Sequence, residues 1–215
     1  MKNLTIIPIL IVALVLLVQS LFANDKYTEV MLKNIEAVYK AKSAEEFQSL
    51  ANTFHRIGEA EKGKWEPYYY EAFSYLMMTT REKEGSKKDA YLDLALKSVE
   101  AAKTIQPNES ELVALEGFVH MLRVTVDPAS RGQMYSGMAF ESFHKAVGLN
   151  PENPRALNLL AQMEFGTAQF FGSPTTEACA TLNKAIEKFE TYKVENPLAP
   201  QWGKGMTESL KAKCQ

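Results

Sequence analysis

Few side chains in this 215-residue sequence are placed to ligate a metal, attack a carbon or shuttle a proton. There are three histidines, His55, His120 and His144. His120 and Glu164 stand 44 residues apart, the same interval that separates Pro107 from Pro151. A zinc site built on His120, Glu164 and His144 would need at least one closely spaced ligand pair. No His-x-x-x-His or Cys-x-x-Cys supplies it, so ordinary polar packing is the better reading. Cys179 lies between Ala178 and Ala180 in an Ala-rich helical stretch rather than a nucleophile setting, and no Gly-x-Ser-x-Gly elbow occurs. Gly203-Lys204-Gly205 lacks the spacing of a phosphate loop. Glu59, Glu61 and Glu66 read as a solvated acidic cluster rather than as acids converging on a pocket. Tyr68, Tyr69 and Tyr70 follow Trp65 closely, yet three consecutive helical residues point in three directions, which suits core packing better than a sugar platform. These residues form no catalytic constellation and no cofactor motif. The sequence reads as a non-enzyme.

The elements that hold these residues begin after a leader. Residues 1–23 carry one charge, Lys2, then an apolar run from Leu4 to Val18 and a small residue, Ala23, at a cleavage position. That order describes a secretory signal peptide; its alternative is an uncleaved membrane anchor, since the run is only slightly short of a span. Export to the periplasm or beyond is expected, with inner-membrane anchoring as the alternative. Without Lys2 the chain has 23 basic and 26 acidic side chains, a formal charge of -3. Such a balance gives no footprint for nucleic acid. An oxidising compartment permits a Cys179–Cys214 disulfide that would tie the C-terminus to the last long helix. The other reading is a buried thiol at Cys179 and a terminal one at Cys214.

Strand signals are scarce and helix signals recur. Ser43 with Glu46 has the capping-box spacing, and Asn108 with Glu111 a looser form of it. Asn153-Pro154 and Ser173-Pro174 each place a capping residue before a proline. Leu92, Leu96, Val99 and Ala139, Phe143, Ala146 return at helical spacing. The expected class is all-α.

Pro107, Pro151 and Pro197 set a register. Twelve residues before them stand Ala95, Ala139 and Ala185; eight before, Val99, Phe143 and Phe189; five before, Ala102, Ala146 and Tyr192. Ten residues after the first two prolines stand Gly117 and Ala161. This pattern resembles the tetratricopeptide repeat, whose second helix carries alanine, an aromatic and a closing proline. The resemblance implies a solenoid of antiparallel helix pairs wound into a right-handed superhelix. The prolines are 44 and 46 residues apart, against about 34 in the family. The surplus is expected as inserts between paired helices, at Arg81–Lys88, Asp127–Gly137 and Gly166–Thr175. Three repeats would cover residues 66–197, with a capping pair over 24–65 and a capping helix over 198–215. Tyr192, in place of a small residue, implies a looser or differently capped third pair.

In this family the first helix of each pair lines the concave face. The resemblance therefore implies a groove carrying Glu66, Tyr69, Phe73 and Leu76, then Glu111, Ala114, Phe118 and Met121, then Arg155, Asn158, Gln162 and Phe165. Aromatics at one end and Arg155, Asn158 and Gln162 at the other would suit an extended or helical peptide. The alternative is that Tyr69, Phe73 and Phe118 pack between helices. The inserts would share one edge, and Arg131, Tyr135, Phe170 and Phe171 would be its contact residues. The other reading tucks them back onto the helices. The expected function is a protein-interaction scaffold of the bacterial cell envelope with another protein or peptide as partner, no metal and no cofactor. A periplasmic small-ligand-binding protein is the alternative, and an enzyme on a helical scaffold is a more distant one.

Overall fold

The computed structural model describes residues 26–194 and 196–214, so the leader expected at residues 1–23 lies outside the described residues. A helix over residues 26–40 (α1) is followed by α2 (Ala44–Ala60), α3 (Glu66–Thr79), α4 (Gly85–Ile105), α5 (Ser110–Val126) and α6 (Pro128–Leu149). Then come α7 (Pro154–Phe171), α8 (Thr176–Thr191) and α9 (Lys204–Lys211). Among the described residues there is no strand. The pairs α3–α4, α5–α6 and α7–α8 stack as three repeats behind α1–α2, and α9 closes the far end against α7 and α8.

Local chemistry sets the boundaries. The Ser43 hydroxyl accepts from the Glu46 N–H at 3.2 Å while the Glu46 carboxylate accepts from the Ser43 N–H at 3.0 Å, a complete capping box. Asn153 Oδ1 accepts from the N–H groups of Arg155 and Ala156 at 2.9 and 3.1 Å, ahead of Pro154. Two expected caps shift by one or two residues: Glu109 rather than Asn108 caps α5, and Thr175 rather than Ser173 precedes α8.

The small-and-large register works by close approach. A Cβ on Gly117 would lie 2.4 Å from Cε1 of Phe143, a ring with no exposed surface. The glycine thus lets α5 and α6 meet at the phenyl ring. Gly58 does the same for the ring of Tyr68, between α2 and α3.

The inserts are helical instead. Asp127 accepts from the Ser130 N–H and Pro128 follows it, so α6 starts at once and takes up nearly all of Asp127–Gly137. Likewise α7 runs on through Gly166 and stops at Gly172, whose φ of 65° ends the helix in the left-handed conformation. The longer period is therefore held in longer helices, 21 residues in α4 and 22 in α6. Turns of several residues remain at the first expected insert, before Gly85, and at the end of the third, from Gly172 to Thr175.

One apolar core runs from α1 to α7 and a smaller one joins α7, α8 and α9 through Ala161, Phe165, Ala178, Leu182 and Leu210. The disulfide forms: Cys179 near the start of α8 is bonded to Cys214 just beyond α9, with Cα atoms 5.7 Å apart. It staples the smaller core.

Candidate functional site

The concave face is occupied by the chain itself. After α8 the backbone turns outward at Tyr192, whose ring lies 4.8 Å from the Arg155 guanidinium, and residues 196–203 cross the groove without forming a helix. Tyr70 donates to the Leu198 carbonyl at 2.8 Å, and the Gln201 N–H donates to the Tyr39 hydroxyl at 3.0 Å. Asn196 donates to Glu66 at 3.3 Å, and the Trp202 indole N–H donates to the Tyr69 hydroxyl at 2.8 Å. The indole stacks on Phe73 at 5.2 Å and on Phe118 at 6.0 Å between ring centroids. Leu198 is buried beneath the crossing.

This places the expected concave residues. Tyr69, Phe73, Phe118, Arg155 and Asn158 are buried, and Met121 and Gln162 are partly covered. Arg155 donates through Nε to both Glu111 oxygens at 2.9 Å, and its Nη2 stands 2.7 Å from Oε1. Burial opposes the Arg155 charge, but the Glu111 carboxylate outweighs it and holds the guanidinium protonated. Burial likewise raises the Tyr69 and Tyr70 phenols well above their ordinary value, so both stay neutral. Glu66 is not solvated: it is buried and accepts from Tyr27 and Asn196. Of the three tyrosines, Tyr69 and Tyr70 are core, and Tyr68 donates to Glu59 at 3.0 Å.

The edge where α5, α7 and α3 hand over to their partners is different. Phe170 and Phe171 are 81% and 72% exposed, their rings edge to face at 5.0 Å. Met134 (58% exposed) and Met138 project from the antiparallel neighbour α6 at the same end of the α6–α7 hairpin. Arg131 and Tyr135 do not join them. Arg131 donates to both oxygens of Asp89 on α4 at 2.7 and 2.9 Å, and Tyr135 stacks on His120 at 6.1 Å with Arg123 at 5.6 Å. Burial lowers the pKa of His120. A 180 Å³ hollow lies alongside, lined by Lys103, Glu116, His120, Met138, Glu141 and Lys145. His144 stacks on Phe140 instead of approaching His120, and among the described residues no three His, Cys, Asp or Glu side chains are grouped to hold a metal.

No family model matches this chain, and no curated protein does. Solved structures do match. HusA haemophore from Porphyromonas gingivalis is 27% identical, with 88% of this chain and 92% of that one aligned at a TM-score of 0.78. A thermophilic tetratricopeptide protein of Thermus thermophilus is 18% identical, with 79% and 86% aligned at a TM-score of 0.52. The chain has the tetratricopeptide-type repeat fold. Among the described residues no helix is long and apolar enough to cross a membrane. The tetratricopeptide register marks which helices face inward. It holds no signal for the C-terminal occupant, because Asn196–Gly203 has neither period nor charge pattern. Met134 and Met138 are legible only as the face of α6 opposite Ala139 and Phe143.

Proposed function

We propose that this chain is an exported, non-enzymatic binding protein that takes up a flat porphyrin of the haem class on the edge formed by Phe170, Phe171, Met134 and Met138. The observation that carries this reading is the likeness to HusA haemophore along nearly the whole of both chains. The edge supplies fitting chemistry. Phe170, Phe171 and Met134 are the most exposed large apolar side chains among the described residues, Met138 lies one helical turn from Met134, and such a group calls for an apolar occupant. Arg131 is paired with Asp89 and Tyr135 is stacked on His120, and in this reading stacking on Phe170 and Phe171 and burial against the thioethers hold the ligand. A disulfide fits an oxidising compartment, in line with a cleaved leader and a periplasmic or secreted protein.

The test is an absorbance titration of the purified protein with ferric haem and with iron-free protoporphyrin. Saturable binding of both, at similar affinity, is expected. Absence of saturation with either one defeats the reading.

A second reading keeps a polypeptide as partner on the concave face. It is favoured by the manner in which residues 196–203 lie there, bonded through backbone and indole as a separate extended peptide would be.

A further inference from the structure

The crossing segment has the features of a ligand attached to its own receptor. Its backbone gives a carbonyl to Tyr70 and an N–H to Tyr39, its bend is set by Asn196 Oδ1 accepting from the Leu198 N–H at 2.9 Å, and its indole fills the slot between Phe73 and Phe118. Leaving the groove, it passes Gly203 at φ 106°, where a Cβ would meet the Phe189 ring at 2.9 Å and Arg155 Cγ at 3.3 Å. Only glycine makes that exit without displacing the groove wall. The occupancy is incomplete, however. Asn158 is fully buried on the concave helix α7, and among the described residues neither its amide oxygen nor its amide nitrogen has a partner. A buried amide with donor and acceptor both open is the complement of one more peptide unit. Beyond the exit, α9 is fixed to α8 by the Cys179–Cys214 bond and by the burial of Thr207 and Leu210.

We propose that residues 196–203 are a removable plug of the concave groove and that the Cys179–Cys214 disulfide is its latch. A dithiol reductant opens the latch: two electrons and two protons pass to the S–S bond, giving two thiols, and the reductant closes to its own disulfide. The main chain tethers the plug to α8 in either state; while the latch holds, α9 anchors its other end as well, and the doubly anchored plug has the higher effective concentration against an external segment. Once it is open, an extended polypeptide that brings a carbonyl to Tyr70, an indole to the Phe73–Phe118 slot and a peptide unit to Asn158 competes for the groove. The proposal rests on the second reading above and is independent of porphyrin binding.

The test uses the full chain and a fluorescein-labelled peptide with the sequence of residues 196–204, followed by anisotropy. The oxidised protein is expected to bind it at least about tenfold more weakly than the dithiol-treated protein or the oxidised Trp202→Ala variant. A peptide whose tryptophan is replaced by alanine is expected not to bind either. Should Trp202→Ala lose its helical circular dichroism, Asn196→Ala, which removes the plug's own bonds to Glu66 and to the Leu198 N–H, takes its place. Failure of the peptide to bind a folded plug variant overturns the groove reading and the proposal with it. Binding to the variant but equal binding to oxidised and reduced wild type overturns the latch.

Discussion

Truncating Phe170 and Phe171 to alanine isolates the edge from the fold. Both rings are largely in solvent, so their removal takes little from the core. Exposed positions of this kind change stability by less than about 0.5 kcal/mol. Fully burying a phenylalanine side chain gains about 1.5–3 kcal/mol, and a flat porphyrin covers one side of a ring, so each ring contributes about 1 kcal/mol to binding. One truncation is then expected to weaken haem about fivefold and the double variant about 30-fold, since about 1.4 kcal/mol corresponds to tenfold. Met134→Ala, with a smaller apolar area, should fall below either. The assay is a parallel titration of wild type and variants by haem absorbance, with thermal melts by circular dichroism on the same samples. A double variant that binds haem within twofold of wild type while melting normally would refute the assignment of the edge.

The remaining expectations concern the scaffold. Cys214→Ser should lower unfolding free energy by about 3–4 kcal/mol, from a cross-link spanning 35 residues, and dithiol should bring wild type to the same denaturant midpoint. Gly117→Ala should destabilise by about 1–3 kcal/mol because its Cβ meets the buried Phe143 ring; pairing it with Phe143→Leu should recover part of the loss in thermal melts. Arg155→Ala strands the Glu111 carboxylate and should cost about 3–5 kcal/mol in denaturant unfolding, whereas Arg155→Met with Glu111→Gln should cost clearly less. Burial holds the folded-state pKa of His120 below its ordinary value of 6.5, so the unfolded chain takes up the proton first as pH falls. Its contribution is fully present above about pH 6.5 and is lost as pH drops through that value toward the folded-state pKa; His120→Gln should flatten the stability profile there, as read by denaturant midpoints from pH 7 to 5.

The helix pairing is legible in the sequence because it is enforced at short range. Alanine or glycine opposite an aromatic records how near two helices stand, and Asn153-Pro154 records where one begins. Insert and helix cannot be told apart from the spacing alone, since Gly132 and Gly137 suggest a loop while Asp127-Pro128 starts a helix, and the cap decides the outcome. The groove residues are legible as a face but not as an occupied one. Tyr69, Phe73 and Phe118 read equally well as open contacts or as core; what buries them is Trp202, far away in sequence and recruited by hydrogen bonds that leave no period. The Glu66 carboxylate reads as solvated for the same reason, because its partner Asn196 lies 130 residues away.

The bond from Tyr70 to the Leu198 carbonyl joins residues 128 apart and has a consequence for how such a chain can evolve. An open solenoid can gain or lose a unit, since each contacts only its neighbours. Here the run from Tyr192 to Leu198 must reach from the exit of the last pair back to the first, and a stretch of that length spans at most about 25 Å. Duplicating one helix pair would carry the two anchorage points apart and leave the span too short. The copy number of this array is set by the reach of a single return segment.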